Sequence, residues 1–203
     1  MSLLVCCLPA IQASPLTPAQ KKDVISRINS TASSLENMTC SFVQTKHLSL
    51  LSDKMTSKGS MHYSQPGKLR WEYTSPYSYL FIFNGSKVYV GNKSKKDIID
   101  TETNKVFKEV ARIMMNTVTG KALSDTSDFT VEVDDAKSFW EITLVPKKKE
   151  MRQMFSKIKM FFNKKDLMIA ELNIIEKNND NTSIIFSNTL TNKTINANLF
   201  AIP

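Results

Sequence analysis

The sequence predicts a mainly β fold of the α+β class: one curved antiparallel sheet whose apolar face is covered by helices. Three observations carry this expectation. Residues 54–64 alternate strictly between two faces, with Met55, Ser57, Gly59, Met61 and Tyr63 on one and Lys54, Thr56, Lys58, Ser60, His62 and Ser64 on the other. Similar runs recur toward the C-terminus, separated by Asn-, Asp- and Lys-rich turns. Two stretches only, near residues 18–33 and 106–119, carry apolar residues at helical spacing.

The first element is a helix over Pro18–Ser33. Thr17 is suited to its N-cap, Pro18 to its first turn and Gln20 to the reciprocal capping bond. Val24, Ile25, Ile28, Ala32 and Leu35 form its apolar stripe, opposite Lys21, Lys22, Asp23 and Arg27. From Thr39 the period becomes two. Gln65-Pro66-Gly67-Lys68 suits a type II turn and leads into a strand with Leu69, Trp71 and Tyr73 on one face and Arg70, Glu72 and Thr74 on the other. Such a hairpin has one apolar and one wet face. Tyr77–Phe83 is apolar on both sides, and Asn84-Gly85 turns it into Lys87–Gly91.

A second helix is expected around Val106, Val110, Ile113, Met114, Thr117 and Val118, closed by Gly120. Strands then resume at Phe129–Val133, Ser138–Val145, Met151–Phe162, Leu167–Glu176 and Thr182–Asn188. Met154, Ile158, Met160 and Phe162 share one face; so do Met168, Ala170, Leu172 and Ile174 in the next strand, and Ile184 with Phe186 in the last.

Composition bounds the rest. The chain has 203 residues with 41% hydrophobic content, ample for one ordinary globular domain and unlike a disordered or fibrous chain. No apolar stretch reaches the ~18–20 residues that span a bilayer. Residues 1–13 (MSLLVCCLPAIQA) carry no charge, and the apolar run Leu3–Leu8 precedes Ile11 and Ala13 at the spacing of a secretory cleavage site. We read 1–13 as a signal peptide and 14–203 as one domain; a buried N-terminal strand is the competing reading, and no Lys or Arg precedes the apolar run. Val5 is too bulky for the residue before a lipidated cysteine. Cleavage after Ala13 leaves Cys40 as a lone thiol, read as a small core residue rather than a nucleophile.

Enzyme chemistry has little to stand on. His47 and His62 are the only histidines, neither has a partner at metal-ligand or triad spacing, and His62 falls on the wet face of its strand. We therefore expect no catalysis, cofactor or metal. Net charge of +8 raises nucleic acid as a partner. The lysines at 147–149, 157, 159, 164 and 165 are not interleaved with surface aromatics, however; Phe155 and Phe161 are the only neighbours available for base stacking. Edge protection of the sheet, with docking to an acidic partner or an anionic membrane surface, is the better account of the lysines.

Four blocks occur in a telling order: Ser41-Phe42-Val43-Gln44-Thr45; Lys58-Gly59-Ser60-Met61; Gln65-Pro66-Gly67-Lys68-Leu69-Arg70-Trp71-Glu72-Tyr73-Thr74-Ser75-Pro76; and Phe83-Asn84-Gly85-Ser86-Lys87. Together they resemble the LolA-type periplasmic outer-membrane lipoprotein carrier family, most specifically over residues 38–92. The resemblance implies an incomplete eleven-stranded barrel whose concave apolar face is closed by helices. It also implies a monomeric carrier in the Gram-negative periplasm that takes the acyl chains of lipidated proteins from an inner-membrane release complex to an outer-membrane receptor. A lipid-sensing regulatory module on the same half-barrel is the alternative.

The residues read as lipid-facing are Met55, Met61, Tyr63, Leu69, Trp71, Tyr73, Met154, Ile158, Met160, Met168 and Leu172. Trp71 and Leu69 match the family pattern, and methionine suits a surface that moulds around mobile chains. Val106, Val110, Ile113 and Met114 are read as the lid. Where the family places an arginine that reaches the lid, this chain has Gln65, read as an uncharged lid contact. Sheltering one sixteen-carbon chain is worth ~12 kcal/mol, so enclosing three exceeds the practical ceiling of noncovalent affinity. A carrier must enclose its cargo incompletely and open readily.

Overall fold

The structure, a computed structural model, describes residues 16–49, 54–92, 94–103, 105–123 and 127–203, with 105–111 and 122 described as backbone alone. The stretch read as a signal peptide lies outside the described residues. The chain opens with α1 (Pro18–Ser33), where Gln20 N–H donates to Thr17 Oγ1 and Thr17 N–H donates to Gln20 Oε1 at 2.8 Å, the reciprocal cap expected. Val24, Ile28 and Ala32 are its buried residues.

Eleven strands follow, interrupted by two further helices. β1 (Asn37–His47), β2 (Lys54–Ser64), β3 (Lys68–Ser75), β4 (Tyr79–Phe83), β5 (Lys87–Gly91) and β6 (Lys96–Asp100) precede α2 (Lys105–Thr119). After a 3-10 turn at Lys121–Leu123 come β7 (Phe129–Ala136) and β8 (Phe139–Pro146), then α3 (Lys149–Met154), β9 (Phe155–Asn163), β10 (Ile169–Glu176) and β11 (Asn181–Thr191). All strands form one antiparallel sheet in the order β6-β5-β4-β3-β2-β1-β11-β10-β9-β8-β7. The terminal strands β6 and β7 do not pair, so the barrel is incomplete, as expected. The chain joining these two edges is the segment that contains α2. At its start Thr101 is fully buried, and its N–H and hydroxyl both donate to Ser86 O.

Alternation in β2 and β3 is as predicted: Met61, Tyr63, Leu69 and Trp71 are buried, and Gly67 at φ +67° closes the turn between them. Four details differ from the sequence reading. β6 was not foreseen; it is a short edge strand in which Lys96, Asp97 and Asp100 flank two isoleucines, a charge-blunted edge with little periodic signal. β4 begins at Tyr79, after Pro76 has broken the extended run. The long strand expected over Met151–Phe162 is split, because 149–154 turn once as α3 and only 155–163 extend. In β10 the register slips between Ile169 and Glu171, which sends Ile169 into the core and leaves Met168 ahead of the strand. A bulge of this kind reverses the facing of every residue before it.

α2 ends at Gly120, whose φ of +86° is the left-handed region open chiefly to glycine. Space there is as restrictive as the backbone. A Cβ at Gly120 would lie 2.9 Å from Ile28 of α1 and 3.3 Å from Phe162 of β9. The residue is thus the knuckle where both main helices meet the sheet. Gly120→Ala is expected to lower unfolding free energy by about 1–3 kcal/mol, measured as a lower urea midpoint with an unchanged slope.

Candidate functional site

The motif blocks converge on one wall of the half-barrel. Gly59 of β2 has no side chain, and the Phe42 ring from β1 occupies that space; a Cβ on Gly59 would sit 2.5 Å from the ring and 2.0 Å from Glu72 O. Phe42 then meets Trp71 at 4.5 Å between ring centroids and Tyr73 edge-on at 5.2 Å. Phe186 of β11 meets Trp71 at 6.1 Å between ring centroids, with the two rings near perpendicular. Tyr73 completes the wall by donating its hydroxyl to Gln44 Oε1 at 2.9 Å. Burial raises the Tyr73 phenol above its ordinary range, so it stays a neutral donor.

Against this wall lies a cavity of about 660 Å³. Its sheet side is built by Gln44, Trp71, Tyr73, Phe155, Ile158, Leu172, Ile174, Glu176, Thr182 and Ile184. α2 contributes Ile113, Met114, Thr117 and Val118, and α3 contributes Gln153 and Met154. Its volume falls within the ~300–1,000 Å³ of small-molecule sites, and its lining is mostly apolar.

Of the residues read as lipid-facing, Trp71, Tyr73, Met154, Ile158 and Leu172 line this cavity, as do Ile113 and Met114 of the expected lid. Met61, Tyr63, Leu69 and Met160 face the same way but are fully buried in the core beyond it. Met55 points inward by parity, yet it sits near the start of β2 and is exposed. Met154 reaches the rim from α3 rather than from a strand, and Met168 is half-buried ahead of β10, packed against the core but outside the cavity lining. Val106 and Val110 fall within α2, but their side chains lie outside the described residues.

Among the described residues, Gln65 makes its hydrogen bonds away from α2. Its Nε2 donates to Leu35 O at 2.7 Å and its N–H to Glu36 O, so it pins the connection between α1 and β1. α2 is held elsewhere. Arg112 lies 2.6 Å from Oδ2 of Asp128, which is buried at the foot of β7, and Lys148, preceding α3, lies 2.6 Å from Oδ1. A run of lysines thus contributes one partner to a buried carboxylate. Sequence reading missed Asp128 because nothing local links positions 112, 128 and 148.

Two sequence readings about chemistry also meet the structure. His62, read as solvated, is half-buried beside Arg70, and burial followed by that guanidinium lowers its pKa. Arg70 in turn donates to Leu199 O of the C-terminal 3-10 turn (Ala197–Phe200), which lies over β3. Phe155 is buried and stacked on Phe129 rather than presented outward. Among the described residues, no group of three His, Cys, Asp or Glu side chains is placed to hold a metal.

The fold and site together define an open antiparallel half-barrel with a helix-covered, mostly apolar cavity, and comparison with known proteins places it in a family. The family model described as outer membrane lipoprotein carrier protein LolA matches residues 33–203, and the chain belongs to that family. A protein named outer-membrane lipoprotein carrier protein from Methylococcus capsulatus is 26% identical over 178 residues, covering 86% of this chain and 81% of that one. Another of the same name from Chromobacterium violaceum is 23% identical over 181 residues, covering 88% and 82%. Among solved structures, an uncharacterized conserved protein of Thermus thermophilus aligns with a TM-score of 0.55 at 9% identity, over 90% of this chain and 94% of that one. A chain of the Pseudomonas aeruginosa MucA/MucB complex aligns at 0.51 and 8% identity, over 89% and 60%. These two likenesses establish the fold.

The site generates two expectations. Lys148, then Arg112, holds the Asp128 carboxyl below the usual carboxylate range, against the opposing effect of burial. The anchoring is therefore fully present above the unfolded value of ~3.9 and is lost as pH falls through the lower folded value. Asp128→Asn is expected to speed hydrogen exchange of α2 amides about tenfold, a loss of the size that charged hydrogen bonds carry. β1 and β11 amides should be unchanged, and acid should no longer accelerate α2 in that window. Separately, burial pushes the Cys40 thiol up to about 12. Peptide mapping after iodoacetamide treatment at pH 8 should find Cys40 unmodified in native protein and alkylated in urea.

Proposed function

We propose that this protein is a periplasmic carrier, exported with loss of 1–13, whose single domain over 14–203 shelters the acyl chains of lipoproteins. It takes them as a monomer from an inner-membrane release complex to an outer-membrane receptor. Membership of the carrier family supports the class of ligand. One observation carries the reading to this chain: the cavity is mostly apolar, and facing its sheet wall are helices, α2 and the end of α3, rather than a second layer of sheet.

The size of that cavity sets the way it would work. With a methylene needing about the room of a water molecule in the liquid, ~30 Å³, about 660 Å³ holds on the order of twenty methylenes. That is more than one sixteen-carbon chain and fewer than two. A diacyl or triacyl anchor is therefore admitted only as α2 gives way, and the Arg112–Asp128 pair is what it must yield. Partial enclosure keeps the affinity below the level at which cargo could not be handed on.

The test is capture in the cell. A photo-reactive phenylalanine at Ile158, on the cavity wall, should crosslink acylated proteins identifiable by mass spectrometry. The same group at Ile185, exposed on the convex face, should not. Equal capture at both positions, or no lipidated partner at Ile158, would remove the support for a carrier.

A further inference from the structure

The concave face changes character along its length. On β1 the residues facing inward run Met38, Cys40, Phe42 and then Gln44 and Lys46. On β11 the order read toward the same end is Phe186, Ile184, Thr182; on β10 it is Leu172, Ile174, Glu176. Three adjacent strands thus turn from apolar to polar at the end of the sheet where β1 and β10 finish and β11 begins. The pairing places these groups side by side: Thr182 is the partner of Lys46 on one side and of Ile174 on the other. Lys46 reaches past Thr182 to Glu176, with Nζ 3.2 Å from Oε1. Gln44, Tyr73, Glu176 and Thr182 all line the cavity.

This is the solvent-reached end. The Lys46 and Glu176 side chains are 36% and 32% exposed; Met55, paired with Lys46 across β1 and β2, and Met154, next to the Phe155 that pairs with Glu176, are exposed at the same strand ends. Polar and charged groups on the inner face of a half-barrel are costly unless something hydrogen-bonds to them. They are also unneeded for packing, since the core already lies deeper in the sheet. Their chemistry is directional. Tyr73 takes up the Gln44 amide oxygen, which leaves the amide NH₂ to donate elsewhere. Thr182 offers a hydroxyl, and Lys46 an ammonium whose charge Glu176 balances. A row of donors on one wall, running from the cavity lining out to Lys46, fits an amphiphile whose acceptors sit where its tails begin.

Resting on the carrier reading, we infer that Gln44, Thr182 and Lys46 form a collar that binds the ester carbonyls joining acyl chains to a glyceryl group. Tyr73 and Glu176 hold the collar in place. Tails lie against Trp71, Ile158, Leu172 and Ile184, and the anchor leaves the cavity past the collar. The cavity therefore reads the acylglycerol junction as well as the chains.

Two synthetic lipopeptides test it: a dipalmitoyl-glyceryl-cysteinyl peptide and its dihexadecyl ether analogue, matched in chain length but without carbonyls. The wild-type protein should bind the ester form at least about tenfold more tightly, the worth of roughly two ordinary hydrogen bonds. In Gln44→Leu/Thr182→Val the preference, read as the ratio of ester to ether affinity, should fall below about threefold. Should the double variant fail to fold by circular dichroism, the single Thr182→Val variant and the wild-type ratio decide. Equal wild-type affinities for ester and ether, or an undiminished preference in the variant, overturn the collar and leave the carrier reading standing. Failure of the wild type to bind either lipopeptide overturns both. A dipalmitoyl phospholipid that displaces the ester lipopeptide assigns the collar to diacylglyceryl lipids in general, and one that does not assigns it to the lipoprotein anchor; both support recognition of the junction.

Discussion

The whole inner surface hangs on the contact between the Phe42 ring and the bare backbone of Gly59. A side chain of any size on Gly59 would strike both that ring and the carbonyl of Glu72. With the space open, Phe42 bridges two strands, packing tilted against Trp71 and perpendicular to Tyr73. Aromatic pairs at these separations add ~0.5–1.5 kcal/mol each beyond the area they bury. They also set the register of β1, β2 and β3, because a slip of one residue would turn every one of these groups outward. Gln44 is carried to the Tyr73 hydroxyl by the same register. One wall of the cavity is thereby rigid.

The opposite side is built differently. α2 meets the cavity through Ile113, Met114, Thr117 and Val118, side chains without aromatic interlock, and an ion pair at Asp128 ties it to the edge of the sheet. Interactions of this second kind are strong while intact and break in one step, whereas a packed aromatic wall deforms only by repacking. The division gives the half-barrel two unlike jaws, one of interlocked aromatics and one of a helix tied by an ion pair. Both jaws share the Gly120 knuckle, where α1, the end of α2 and β9 come together.

Much of this was legible in the residues. The capping pair of Thr17 and Gln20 and the alternation through 54–74 depend on neighbours in sequence, so local chemistry determines them. The four blocks spaced along 41–87 contain Phe42, Gln44, Gly59, Trp71 and Tyr73, which are the parts of the fixed wall. What escaped was of another kind. Parity cannot anticipate the register slip in β10 that turns Ile169 into the core and leaves Met168 ahead of the strand. Six residues are too few for the periodicity of α3 to stand out from a strand, which is why Met154 was placed on one. β6 has two isoleucines between charges, and Asp128 draws partners from 16 and 20 positions away on either side. Gln65 was read by analogy with an arginine, but a shorter neutral side chain finds the nearer carbonyl of Leu35.

The free edges β6 and β7 carry a mechanical consequence. A closed barrel cannot widen without breaking backbone hydrogen bonds around its circumference, whereas a sheet with two unpaired margins changes its gape by twisting alone. Here the only covalent link between those margins is the segment containing α2, rooted at Thr101 on one side and Asp128 on the other. The cover is therefore also a strap across an open seam. On the carrier reading, lifting it would free the two margins to part, so that access and capacity would rise together through one displacement.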